Sequence, residues 1–309
     1  VKSSRRGFLA GIPGLLAWGA ACQREVSSNP ERSLLATTGL VADLVRRIAG
    51  PWWEVQSLMG PGIDPHTFEP SYGALRRLTS AKMVFFHGLH LEGKMAEVLH
   101  RLEEREPSRY HAVTSQIPAS RILGESIESP DPHVWMDTVL WSECLGPITK
   151  ALCEADPENA KDYLIRHAET LDSMVRLDEQ IRRLVLAIPP QKRILVTAHD
   201  AFAYFGRAYG FRVEGVQGIS TATEATLNRL EEVADILVEH KIGAVFLESS
   251  VNPRTLTKIR EIAKRLDQNS HVAAGGTLYS DSLGDPGSGA ETHHGMMLAN
   301  VQTLVEALR

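Results

Sequence analysis

Residues 156–190 read DPENAKDYLIRHAETLDSMVRLDEQIRRLVLAIPP, and the fold follows from this stretch. Apolar residues recur at Ala160, Leu164, Ala168, Leu171, Met174, Ile181, Leu184 and Ile188, mostly three or four apart. That spacing predicts an apolar stripe along one face of an α-helix. Asp156 stands where an N-cap belongs, and Pro157 fits the first turn, where a missing N–H costs nothing. Pro189-Pro190 ends the run, because proline cannot continue the helical ladder. A helix over 156–188 would be roughly 45–50 Å long, longer than a small domain is wide. It divides the chain beyond residue 32 into two segments of similar size, 33–155 and 189–309.

Each segment alternates strand with helix. In the first, Ser33–Thr38 reads as a strand, Val41–Ala49 as a helix stopped by Gly50-Pro51, and Trp53–Leu58 as the next strand. A connection that short suits a right-handed parallel crossover. Ser71 caps a helix holding Leu75 and Leu78, and Met83–Phe86 is a further buried strand. In the second segment Arg193–Ala198, Phe211–Val216, Ala244–Glu248 and His271–Ala274 read as strands. Phe202–Tyr209, Thr223–His240, Arg254–Leu266 and His293–Leu308 read as helices. The alternation predicts an α/β protein with parallel sheets.

Three loops rich in Gly and Pro carry the chemistry. Met59–Tyr72 holds Asp64-Pro65-His66, Ser129–Asp137 holds Asp131-Pro132-His133, and Gly275–Gly289 holds Tyr279-Ser280-Asp281. Asp-Pro-His thus occurs twice, both times in a loop after a βα unit. Proline fixes φ and keeps the residue before it extended, so each histidine sits on a stiff support. A neighbouring aspartate can also orient the ring nitrogen that a metal leaves free. His199 ends the strand Arg193–Ala198, and ligands of open α/β sheets gather at strand carboxyl ends. His66, His133, His199 and Asp281 make a set of three imidazoles and one carboxylate, suited to Zn²⁺, Mn²⁺ or Fe²⁺. Zinc takes such a set as a closed tetrahedron. Manganese wants more oxygen, which Asp281 can supply through both carboxylate atoms.

The chain has 309 residues, 43% of them hydrophobic, enough for two packed cores. A formal charge of −5 with scattered Lys and Arg argues against nucleic acid as a partner. Ser4-Arg5-Arg6-Gly7-Phe8-Leu9, then an apolar run from Ala10 to Ala21, resembles a twin-arginine export signal. The run is too short to span a bilayer. Gly19-Ala20-Ala21-Cys22 resembles a lipoprotein cleavage box, with glycine where leucine is more usual. The expectation is therefore an exported protein, periplasmic or at the cell surface, anchored through acylated Cys22, with residues 22–32 as tether. Residues 1–21 carry three basic side chains and no acidic one, so their removal makes the chain more acidic, which favours cations at long range. Cys144 and Cys153 lie nine apart in a helical region, roughly 13 Å between Cα atoms, too far for a disulfide. Both read as small buried apolar residues.

Six motifs follow one another in order: Asp64-Pro65-His66, Gly88-Leu89-His90-Leu91-Glu92, Asp131-Pro132-His133-Val134-Trp135, Thr197-Ala198-His199-Asp200-Ala201-Phe202, Gln217-Gly218-Ile219-Ser220-Thr221 and Tyr279-Ser280-Asp281. Together they resemble the zinc- and manganese-binding solute receptors of bacterial ABC importers, over nearly all of residues 33–309. The resemblance implies two four-stranded α/β lobes joined by one rigid helix, limited lobe motion, and delivery of the ion to a membrane permease by a monomeric receptor. It maps the family's four ligand positions onto His66, His133, His199 and Asp281. Zinc-dedicated relatives carry a histidine-rich loop in the first lobe, and residues 91–130 contain only His100 and His111. Dedicated manganese relatives have glutamate at the third ligand position, where this chain has His199. The expectation is zinc as the tightest ion, by the Irving–Williams order, with manganese as a candidate physiological cargo.

The remaining histidines read as ordinary. His90 is a structural residue of its turn; His87, His100, His111, His167, His240 and His271 are surface or packing residues. His293-His294 read as a solvated helix start, with metal contact as the alternative. Glu248 reads as a strand-end carboxylate paired with a Lys or Arg, with a role behind the metal ligands as its alternative. Two other function classes stay open: a zinc-dependent hydrolase, which would leave one metal position free for water, and a metal-binding adhesion lipoprotein.

Overall fold

A computed structural model describes residues 30–309 except 125, 127 and 128. The export signal, Cys22 and most of the expected tether lie outside the described residues. Pro30–Arg32 form a short 3₁₀ turn, tied down by an ion pair from Arg32 to Asp156.

The first lobe contains strands β1 (Ser33–Ala36), β2 (Glu54–Ser57), β3 (Met83–Phe86) and β4 (Tyr110–Ala112), in the spatial order β2-β1-β3-β4. Its helices are α1 (Gly39–Ala49), α2 (Tyr72–Ser80), α3 (Ala96–Arg105), α4 (Thr138–Ser142) and α5 (Leu145–Ala155). After α6 (Ala160–Val185) comes the second lobe, with β5 (Ile194–His199), α7 (Ala203–Tyr209), β6 (Arg212–Gln217), α8 (Leu227–Glu239), β7 (Ala244–Glu248), α9 (Arg254–Leu266), β8 (Ala273–Leu278) and α10 (His293–Leu308). Its order, β6-β5-β7-β8, repeats the first, and all pairs in both sheets are parallel. In each sheet the order reverses between the first and third strands, which is where a crevice opens at the strand carboxyl ends.

The long helix differs from the sequence reading in length and in face. The α-helix starts at Ala160, because Asp156 closes α5 and Pro157–Asn159 make a 3₁₀ turn. Asp156 caps no helix N-terminus with its side chain; its Oδ2 accepts from Tyr163 Oη at 2.8 Å and from Asn159 Nδ2 at 2.9 Å. The buried face runs through Tyr163, Thr170, Met174, Leu177, Ile181 and Val185. Leu164 and Leu171, expected on the buried stripe, face outward with Ile165 and Val175. Two interleaved apolar rows satisfy the same period here, and only the neighbouring elements choose between them. The inner row packs on α1, α4 and α5 of the first lobe and on α10 of the second. One apolar cluster therefore runs unbroken from Leu34 and Trp141 through Ile181 to Leu304. A core shared this way resists relative movement of the lobes.

β8 also departs from expectation. It continues through Gly275-Gly276, where the sequence reads as loop, because glycine there is a packing requirement: a Cβ on Gly275 would lie 2.7 Å from the Phe246 ring. Thr226 caps α8, so that helix starts later than the sequence suggests and leaves residues 218–226 as a connecting segment. Cys144 is buried, whereas Cys153 is only half-buried, with Sγ 3.7 Å from the Ala160 carbonyl; neither is in a disulfide.

Candidate metal centre

Four segments converge where the carboxyl ends of the two sheets face each other. His199 is the last residue of β5, while His66, His133 and Asp281 come from the loops after β2, β4 and β8. The His133 Nε2 atom lies 3.3 Å from Nε2 of His66, 3.3 Å from Nε2 of His199 and 3.3 Å from Oδ1 of Asp281. Asp281 Oδ2 is 3.3 Å from His199 Nε2. One ligand atom from each of the four residues falls within 4.8 Å of all the others. All four are buried; His66 alone keeps a few per cent of its surface, 5%, toward solvent.

Those distances can be tested against an ion. A tetrahedron with metal–ligand bonds of about 2.0–2.1 Å has edges of about 3.3–3.4 Å; the His66–His133 and His133–His199 contacts have that length, and Asp281 meets His133 through Oδ1 and His199 through Oδ2, each at 3.3 Å. Asp281 Oδ1 is fully buried, with no hydrogen-bond partner among the described residues. A carboxylate oxygen costs heavily in that position unless something positive faces it. The site fits a small divalent cation.

Carboxylates behind the imidazoles set their orientation. Asp131 Oδ1 accepts from His133 N–H at 2.9 Å and from His133 Nδ1 at 2.7 Å. Glu248, the last residue of β7, accepts from His199 N–H at 2.9 Å, and its other oxygen lies 2.5 Å from His199 Nδ1, an ion-pair contact rather than an aligned hydrogen bond. Each clamp uses up Nδ1 and leaves Nε2 aimed at the common centre. Among the described residues Glu248 therefore pairs with His199 and with neither Lys nor Arg. β5 and β7 are neighbours in the sheet, a relation that local sequence does not reveal. Asp64 behaves differently: it accepts from His66 N–H at 2.9 Å but makes no hydrogen bond to the ring. The turn below His66 depends on Gly93 (φ +48°), where a Cβ would stand 2.1 Å from the His66 carbonyl oxygen.

Burial drives His66 down to about 4, so its ring is neutral and free to bind. Burial pulls His133 the same way, but Asp131 and Asp281 outweigh it and hold the ring at about 9. His199 is raised as well, burial being overcome by Asp281 and Glu248. Burial would raise Asp281, yet the two imidazoles keep it well below the usual carboxylate range. The metal-free pocket is thus a buried ion-pair network, and an arriving cation replaces protons.

The other histidines stay out of the cluster. His293 is buried rather than solvated, which corrects the reading of a solvated helix start. Its Nε2 donates to the Trp135 carbonyl at 2.8 Å, and Asp43 Oδ2 accepts from its N–H at 3.1 Å. Both partners belong to the first lobe, so His293 is a cross-lobe tie. Burial depresses it to about 4, against the opposing pull of the Trp135 carbonyl and then of Asp43, and with a minor contribution from Arg47 and His294. The unfolded chain takes up this proton first, near pH 6.5, so stability is present above that pH and is lost as pH falls toward 4. The expected loss is up to about 3 kcal/mol. His293→Gln, which keeps the donor but cannot titrate, should flatten that limb in urea titrations; equal slopes in both proteins would overturn the assignment. His87 is likewise fully buried, stacked on Trp141 at 5.6 Å.

Strand ends from two lobes enclose a buried, nitrogen-rich pocket that is sized for an ion, on a scaffold whose core resists lobe movement. This is the architecture of a metal-binding solute receptor. A profile of the family described as ZnuA, "Zinc-uptake complex component A periplasmic", matches residues 34–307. The manganese-binding lipoprotein MntA of Bacillus subtilis (strain 168) is 40% identical over 285 residues, 92% of each chain. The zinc-binding protein TroA of Treponema pallidum (strain Nichols) is 36% identical over 285 residues, 92% of this chain and 91% of TroA. The solved structure of the periplasmic zinc-binding protein TroA superposes with a TM-score of 0.85 at 38% identity, over 90% of this chain and 99% of that one. The chain belongs to the ZnuA family, the extracytoplasmic metal receptors of ABC importers.

Proposed function

We propose that this protein captures one divalent transition-metal ion, zinc or manganese, with His66, His133, His199 and Asp281 as its ligands, and delivers it to the permease of an ABC importer. The observation that carries the reading is the convergence of four buried side chains, three imidazoles and one carboxylate, with one ligand atom of each within 4.8 Å of all the others. The protein works as an exported monomer, held to the membrane through Cys22 and the segment after it. Several relatives are themselves named lipoproteins. A hydrolytic role fits less well. Asp131 and Glu248, the carboxylates directly behind His133 and His199, are committed to holding those histidines, and neither is free as a general base.

Three nitrogens and one carboxylate favour zinc over manganese at equilibrium. Calorimetric titration of metal-free protein is expected to give one site per chain, with zinc bound at least ~100-fold more tightly than manganese. Tighter manganese binding would overturn the preference, and stoichiometry above one would overturn the single site.

A further inference from the structure

We propose that Thr221 is a positioning residue for metal capture: its hydroxyl, reaching from the second lobe to Asp64 in the first, holds the His66 turn in the site and sets how long the ion stays. The proposal rests on reading His66 as a ligand.

The three imidazoles are not held alike. His133 and His199 are each gripped at both backbone N–H and Nδ1 by a carboxylate of their own lobe, Asp131 and Glu248. Asp64 reaches only the backbone N–H of His66. Its second oxygen is used elsewhere, accepting from Thr67 Oγ1 at 2.9 Å and from Thr221 Oγ1 at 2.6 Å. The aspartate that would otherwise clamp the ring is shared with the opposite lobe. The His66 turn is thus tied, through Asp64, to a residue of the opposite lobe.

The surroundings make that bond consequential. Thr221 lies in the 218–226 segment between β6 and α8, which has neither helix nor strand to hold it. Asp64, Thr67 and Thr221 line a cavity of about 470 Å³ between the lobes. A second cavity of about 710 Å³ reaches His66, and Glu224 and Ala225 border both. The Thr221–Asp64 bond therefore joins the two lobes at the wall of an open space, two residues from the least buried of the four proposed ligands. The same loop is tied across the cleft once more, where Gly62 N–H donates to Ser282 Oγ at 3.0 Å. Ser282 follows Asp281 in the chain, so this second bond ties the loop carrying His66 to the loop carrying Asp281.

A hydroxyl that donates to a carboxylate can be removed with little change of shape by Thr221→Val. Zinc-loaded protein mixed with excess chelator in a stopped-flow instrument reads the release rate directly. Thr221→Val is expected to release zinc roughly tenfold faster than the parent, the scale of one charge-assisted hydrogen bond. The association rate and the melting temperature of the metal-free protein should stay near their parent values. Thr221→Ser, which restores the donor, should return release to within about twofold. Release from Thr221→Val at the parent rate, or Thr221→Ser as fast as Thr221→Val, would overturn the proposal. His66→Ala run alongside separates the two readings. Zinc held unchanged by His66→Ala would remove the ligand assignment and the proposal with it. Zinc lost from His66→Ala but retained normally by Thr221→Val would remove only the role of Thr221.

Discussion

Asp281→Ala is expected to weaken zinc binding by more than ~100-fold, beyond the ~10–100-fold that loss of an outer partner costs a metal site. Asp281 is the only anion among the four converging groups, and it presents one oxygen to each of two imidazoles at 3.3 Å. Its carboxylate oxygen Oδ1 has no hydrogen-bond partner among the described residues, so its compensation has to come from the cation or from protonated histidine. Alanine removes a proposed ligand and a charge together and leaves three imidazoles around a hole. Asp281→Asn separates the two effects, because it keeps the shape and one carbonyl oxygen while removing the charge. It should fall between the parent and Asp281→Ala. The metal-free variants should also show His133 and His199 titrating lower than in the parent, since Asp281 helps to hold both protonated. Competition with a chromophoric chelator measures the affinity, and imidazole NMR follows the titration. Zinc affinity within tenfold of the parent in Asp281→Ala would exclude the carboxylate as a ligand.

Much of this site is written in local sequence, and the part that is not has a common physical reason. Asp-Pro-His is legible because proline imposes its geometry on its own neighbours, and the repeat at 64–66 and 131–133 marks two loops as equivalent. Yet the equivalence is incomplete. Asp131 grips the ring of His133, whereas Asp64 turns to Thr221, and nothing within either tripeptide distinguishes the two outcomes. Glu248 is legible only as a strand end; its partnership with His199 arises because β7 lies beside β5 in the sheet. His293 reads as solvated because it opens a helix, and it is buried because a first-lobe helix lies against that end. The long helix shows the limit of periodicity itself. Leu164 and Leu171 keep the same spacing as Tyr163 and Thr170, one residue away, and the choice of face belongs to α1, α4, α5 and α10. Period identifies a helix; what it packs against decides which side is inside.

Trp135→Ala is expected to be the most destabilising single change among those considered, at about 3–5 kcal/mol. The side chain is fully buried within the shared core, so truncation leaves a large cavity there. Its ring sits 5.2 Å from that of His133 and 5.1 Å from that of His87, packed edge-on against both. The residue also joins the lobes twice. Its Nε1–H donates to the Ser280 carbonyl at 2.9 Å, next to Asp281, and its own carbonyl accepts from His293 Nε2 at 2.8 Å. Alanine retains the second bond, which belongs to the backbone, but loses the first and leaves the Ser280 carbonyl without that donor. Trp135→Phe isolates the hydrogen bond from most of the packing and should cost less than Trp135→Ala, by at least ~1 kcal/mol. Urea denaturation of the metal-free proteins measures both. Because the indole braces the Asp281 loop and the His133 ring at once, loss of zinc affinity should accompany loss of stability in Trp135→Ala. A variant that loses several kcal/mol of stability yet binds zinc as the parent does would mean that Trp135 supports the core alone, and that the loops carrying His133 and Asp281 are positioned without it.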